Sequence, residues 1–357
     1  MNEQINISNI GLFFQPSKRN MDNSKEKEKE RTVVVRQSFL SNNEATICHK
    51  LRKMLYYHHY FALLEDYEVL NVHINEDEDE EEVNKIQLKN EYFIFKYNDK
   101  NALDFTDILY NSCSIKKYIF SLFHIFQYLL KGLQILHNQN ICFFNIHPQN
   151  ILFLSETPVF SNFKHSLQIS KLMDTGYTYL HDIMMDIEEY TYLPFEINIL
   201  YWIMKNPHIK SLDKNIIHHL CDEYIKNMNI LQYFSAVFKN NYHKLCLDIL
   251  SEYENKDINF IVKDILKRYA KWDIFGLSLL FIHIFGCIIR VYSLTNTFFN
   301  KILTKLLVNL HPDSSKRYSI SETADIFNKY LNENEDWTFV NQLKNEKMDE
   351  LLKEMSK

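Results

Sequence analysis

The sequence predicts an α+β fold in which strands come early and helices make up most of the remainder. Three observations carry that expectation. Thr32-Val33-Val34-Val35-Arg36 and Tyr92-Phe93-Ile94-Phe95-Lys96-Tyr97 are short β-branched or aromatic runs, of the kind that pack well on a pleated surface. From Ile115 on, Tyr118, Ile119, Leu122, Phe126, Leu129, Leu130 and Leu133 recur at helical spacing and line one face of a long amphipathic helix. Ile274 to Ile289 is almost wholly apolar, interrupted by Ser278 and His283, and reads as a helix buried on nearly every side.

Taken in order, residues 1–31 lack a settled period and end in the alternating charges Ser24-Lys25-Glu26-Lys27-Glu28-Lys29-Glu30-Arg31, so a flexible, solvated segment is expected there. After the first strand, Ser41 or Asn42 can cap a helix whose Ile47, Leu51, Met54 and Leu55 share a face, with Glu44 on its first turn. Glu76 to Glu82 is unbroken acid. Like charges so closely spaced repel in a compact structure, and a solvated loop between strands is expected. The strand ending at Tyr97 leads to a boundary near residue 98. Leu231, Phe234, Val237 and Phe238, then Leu245, Ile249, Ile261, Ile265 and Tyr269, point to added helices within 197–270, and 336–357 reads as a helical tail.

Composition narrows the function classes. A net charge of −6 argues against an electrostatic nucleic-acid binder. Cys48, Cys113, Cys142, Cys221, Cys246 and Cys287 show no C-x-x-C spacing, so the sequence indicates neither a zinc site nor a disulfide framework, and a reducing, intracellular compartment fits best. His218, His219 and Cys221, like Tyr56-Tyr57-His58-His59-Tyr60, are close in sequence, but adjacent residues of a helix face different ways and a structural role is expected. The start Met1-Asn2-Glu3-Gln4 lacks the basic and apolar regions of a secretory signal. The run from Ile274 to Ile289 is shorter than the about 20 residues a membrane span needs, so no span is expected.

The chemistry-bearing residues lie in five ordered fragments. Ile141-Cys142-Phe143-Phe144-Asn145-Ile146-His147-Pro148-Gln149-Asn150-Ile151-Leu152-Phe153 is followed by Phe160-Ser161-Asn162-Phe163-Lys164, Tyr192-Leu193-Pro194-Phe195-Glu196, Trp272-Asp273-Ile274-Phe275-Gly276-Leu277-Ser278 and Asp313-Ser314-Ser315-Lys316-Arg317. This series resembles the H-R-D-L-K-P-x-N loop, the D-F-G strand end, the A-P-E segment, the D-x-W-S-x-G helix start and the D-P-x-x-R element of eukaryotic-type protein kinases. In texture it is most similar to the kinase-like proteins of large DNA viruses. The resemblance implies a bilobal fold: a reduced β-containing lobe over 32–98, and a larger, mainly helical lobe over 99–335 with an insertion at 197–270 before the central helix. It also implies an ion pair between Glu196 and Arg317.

The same alignment shows what is missing. Asn145 stands where the family has its catalytic Asp, His147 where it has Lys, and Asn162 where it has the metal-binding Asp, while Asn150 is kept. Thr32 to Arg36 resembles the V-A-I-K strand with Arg36 in the Lys place, and Glu44 is the candidate acidic partner of that cation. Gly11 is the only glycine where a glycine-rich phosphate loop belongs. An amide accepts no proton usefully at neutral pH, and one neutral oxygen is a poor ligand for Mg²⁺. The resemblance therefore implies a pseudokinase: a binding or regulatory module for a protein partner. Asn145, His147 and Asn150 would be remnant catalytic positions, Arg36, Glu44, Asn150 and Asn162 remnant ATP positions, and Asn150 and Asn162 a weak or lost Mg²⁺ site, with ATP bound weakly or not at all. Two alternatives stay open: an atypical active serine/threonine kinase rescued by acids such as Asp174 or Glu156, and a viral structural or assembly protein on the same fold.

Overall fold

The computed structural model describes residues 31–73, 89–97, 102–110, 114–184, 187, 193–294, 297–333 and 338–355. The expected flexible segment before Arg31, the acidic run Glu76 to Glu82 and the boundary at residue 98 lie outside the described residues. The fold is mixed α+β, mostly helical, with small antiparallel sheets.

The first part of the chain builds strand β1 (Arg31–Arg36), helix α1 (Phe39–Leu51), and strands β2 (Leu64–His73) and β3 (Lys89–Tyr97). They form an antiparallel sheet in the order β1-β3-β2. Register follows the side-chain alternation of a strand. Val33 and Val35 face Phe95 and Phe93 from one side, and Tyr67 and Val69 face the same pair from the other. Phe93 and Phe95 share one core with Ile47, Cys48 and Leu51 of α1.

Helix α1 begins earlier than the sequence reading places it. Ser38, not Ser41 or Asn42, is the cap: Ser41 N–H donates to Ser38 Oγ at 3.2 Å and Ser38 N–H to Ser41 Oγ at 2.8 Å, a reciprocal capping box with serine at both ends. Glu44 consequently lies on the second turn. The helix stops at Leu51, so Met54 and Leu55 leave the shared face, and Leu55 is 87% exposed beside the left-handed Tyr56 (φ 60°).

The chain continues through β4 (Leu103–Asp104), α2 (Phe105–Tyr110) and the long α3 (Ile115–Asn138), whose predicted stripe is buried throughout. Strand β5 (Ile141–Cys142), the hairpin β6 (Ile151–Leu154) and β7 (Thr157–Phe160), and β8 (Leu167–Gln168) follow, with β5 paired to β8 and β6 between β4 and β7. Helices α4 (Ile169–Thr175) and α5 (Tyr177–Met184) lead to α6 (Phe195–Lys205), α7 (Lys214–Asn227), α8 (Ala236–Ser251) and α9 (Ile258–Leu266). Helices therefore fill most of 197–270. Leu231, Ile261 and Ile265 are buried as expected, but Val237 and Leu245 face outward, because α8 turns only Tyr242, Cys246 and Leu250 fully into the core.

Helix α10 (Trp272–Tyr292) is the centre of the molecule: among its residues only Arg290 is exposed. Helices α11 (Phe298–Val308) and α12 (Ile320–Glu333) pack around it, and the tail ends in α13 (Met348–Met355). Glu354 pairs with Arg290 at 2.7 Å, and Tyr118 of α3 meets Met355. Both α3 and α10 are long and apolar enough to cross a membrane by length and composition, which removes the shortness argument made from Ile274 to Ile289 alone; the apolarity of α10 is accounted for by its burial in the core.

Candidate functional site

The loop after β5 is held by one carboxylate. Phe144 adopts a left-handed conformation (φ 68°), and the turn aims two successive N–H groups at Asp273 on the first turn of α10. Phe143 N–H donates to Oδ2 at 2.9 Å and Phe144 N–H to Oδ1 at 2.7 Å. His137 Nε2, at the end of α3, lies 2.9 Å from the same Oδ2. The two phenylalanine rings are core: Phe143 packs on Phe160 and Phe163, and Phe144 on Trp272.

Beyond this anchor, three of the predicted residues meet. Asn150, buried, donates through Nδ2 to the Asn145 carbonyl at 3.0 Å. Asn162 Nδ2 donates to Asn150 Oδ1 at 2.8 Å, so the amide oxygen available for a cation is already an acceptor. Asn162 is itself left-handed (φ 58°), a conformation that asparagine tolerates better than most residues and that turns the chain toward Phe163. Asn145 reaches the other way, its Nδ2 3.4 Å from His165 Nδ1. His147 stands apart from these amides. Its Nδ1 accepts from Gln149 N–H at 3.2 Å and caps the single turn Pro148–Asn150.

His165 was not legible as a site residue. It is buried, and among the described residues Nε2 has no hydrogen-bond partner. Burial chiefly, with Lys164 second, pulls its pKa down to about 3, so the imidazole is neutral at ordinary pH. With Nδ1 facing the Asn145 amide donor, the tautomer that fits carries its proton on Nε2.

Arg36 and Glu44 do not come together. Arg36 is exposed at the end of β1, whereas Glu44 is buried on α1 and accepts from Tyr97 O–H at 3.2 Å; no ion pair joins the two. The residue that ties α1 to the site is its neighbour Asn43. Nδ2 donates to the carbonyls of Lys164 (3.0 Å) and Ser166 (2.8 Å), while Oδ1 accepts from Gln168 Nε2 (3.0 Å) and Tyr179 O–H (3.1 Å). All four hydrogen-bonding positions of one buried amide are filled. No sequence pattern marks Asn43, since each partner is more than 120 residues away.

Glu196 and Arg317 form the expected buried pair, Nη1 lying 2.7 Å from Oε1. The sequence matches no protein-family model and no curated protein.

The central cluster is therefore neutral: three asparagines and a neutral histidine, with no carboxylate among its hydrogen bonds. Asp174 lies exposed on α4, and Glu156 is exposed in the β6–β7 turn, where it lines a cavity of about 600 Å³ beside α3. Neither is bonded to the asparagines. Such a cluster can orient a polar group by hydrogen bonds. It lacks a strong base and the carboxylate oxygens that a hard cation favours.

Proposed function

We propose that this chain is a protein kinase-like module that binds rather than phosphorylates, a degenerate relative of eukaryotic-type kinases acting through an intracellular protein partner. In this reading residues 32–98 form a small lobe and 99–335 a larger one, with the amides between them. Several features support it. The order β1-β3-β2 with α1 between β1 and β2, the loop anchored on Asp273, and the Glu196–Arg317 pair agree with the ordered motifs in the sequence.

One contact carries the functional half of the proposal: Asn162 Nδ2 donates to Asn150 Oδ1. Both occupy places where a kinase holds Mg²⁺, and here the amides satisfy each other. Phosphoryl transfer depends on positioned positive charge and on a residue that orients the nucleophile. Among the described site residues, neither requirement is met by Asn145, His147 or an exposed Arg36. ATP is expected to bind weakly or not at all, Mg²⁺ to add little, and neither nucleic acid nor a membrane span belongs to the reading.

Calorimetric titration of ATP with and without Mg²⁺, beside a phosphate-transfer assay on the purified chain, tests the proposal. The expected result is no Mg²⁺-dependent gain in affinity and no transfer. Robust Mg²⁺-dependent phosphorylation of a generic protein substrate, abolished by Asn150→Ala, overturns it in favour of the active-kinase alternative.

A further inference from the structure

We propose that His137, Cys142 and Asp273 hold a divalent transition-metal ion, Zn²⁺ by the chemistry of the donors, that braces the end of α3, the end of β5 and the start of α10 against one another. The proposal does not rest on the functional reading above.

The three donor atoms, an imidazole Nε2, a thiol Sγ and a carboxylate oxygen, all lie within 4.8 Å of one another. Around tetrahedral zinc, with bonds of about 2.0–2.3 Å, such atoms stand roughly 3.3–3.6 Å apart. His137 Nε2 and Asp273 Oδ2, 2.9 Å apart, would open by about half an ångström, and any wider separation would close by about an ångström. Mixed nitrogen, sulfur and oxygen donors suit Zn²⁺ and not Mg²⁺ or Ca²⁺, which take oxygen.

Surrounding groups favour an ion over a chance meeting. Phe143 and Phe144 N–H groups hold the Asp273 carboxylate in place, as outer hydrogen bonds commonly orient metal-binding carboxylates. Asp273 and Cys142 are fully buried, whereas the His137 side chain is 20% exposed. On binding, Cys142 Sγ–H releases its proton to solvent, and the proton that His137 Nε2 donates to Asp273 leaves that nitrogen, so that Nε2 coordinates with a proton on Nδ1; three metal bonds, from Nε2, Sγ and a carboxylate oxygen, take the place of the His137–Asp273 hydrogen bond.

The test uses the full chain, stripped with a chelator under reducing conditions and titrated with Co²⁺ as an optical stand-in. One equivalent is expected to give a sulfur-to-cobalt charge-transfer band with tetrahedral visible bands, displaced by Zn²⁺, and Zn²⁺ alone is expected to raise Tm. Cys142→Ser should abolish the charge-transfer band, and both Cys142→Ser and His137→Gln should weaken Zn²⁺ at least tenfold. A folded, stripped chain that gives no band, or a band of equal intensity in Cys142→Ser, shows the trio to be a hydrogen-bonded brace and overturns the proposal. Should Cys142→Ser not fold, unchanged Zn²⁺ affinity in His137→Gln has the same force.

Discussion

Arg317 meets Glu196 edge to edge across 121 residues of sequence, Nη1 to Oε1 and Nη2 to Oε2, both at 2.7 Å. The guanidinium also donates through Nε to His311 O (2.7 Å) and through Nη2 to Pro312 O (3.2 Å), and it lies 4.9 Å over the Phe275 ring. Its side chain is wholly buried. Two desolvated charges are tolerated here because nearly every donor is filled, in the planar fork geometry that arginine supplies and lysine does not.

Arg317→Ala leaves Glu196 charged, buried and unpaired, and should cost about 3–5 kcal/mol. Arg317→Lys keeps the charge but loses the fork, and should also destabilise. Denaturant unfolding of the three proteins checks this. An unchanged midpoint for Arg317→Ala would show that the pair braces nothing.

Asn43→Ala removes four hydrogen bonds at once and strands buried partners on α1's neighbours. Each unsatisfied buried group costs about 1–3 kcal/mol, although relaxation keeps such effects from adding in full. The expected outcome is a loss of about 2–4 kcal/mol, with hydrogen exchange quickened in residues 163–168 more than in α3. Uniform quickening across the chain would deny Asn43 its role as a local clamp.

Asn162→Asp tests the amide pair. A carboxylate cannot donate to Asn150 Oδ1, so the variant should lose about 1–2 kcal/mol without metal. Millimolar Mg²⁺ should then raise its Tm while leaving the parent chain unmoved, because only the variant offers an anionic oxygen there. Equal responses of the two proteins would count against this pair as a remnant metal site.

His165 sets a pH dependence of definite sign. Its pKa falls from 6.5 in the unfolded chain to about 3 in the fold, so between those values the unfolded chain binds more protons. Its contribution is fully present above the unfolded value and is lost as pH falls toward 3, with a slope of up to about 1.4 kcal/mol per pH unit. His165→Gln should flatten the stability profile between pH 4 and 6 by that slope. An identical profile in the variant would place the imidazole in water.

What the sequence determined by itself is local or strongly patterned. The β-branched and aromatic runs became β1 and β3, the stripe from Tyr118 to Leu133 became the buried face of α3, and the apolar run became α10, because side-chain periodicity reports directly which face must leave water. Glu196 and Arg317 were found together because each stands in a recognisable fragment. The tertiary structure alone decided the rest. A serine at position 38 rather than 41 caps α1 because the two serines satisfy one another, and Glu44 turns to Tyr97 rather than Arg36 because β3, not the end of β1, supplies its donor. Asn43 and His165 carry no pattern at all, and Asp273, though it stands in a recognisable fragment, gives no sign there of the N–H groups and imidazole it holds. Their roles come from partners brought close by the chain's return over long separations, 121 to 136 residues for Asn43 and Asp273, and periodicity contains no information on which polar groups such a return will leave facing one another.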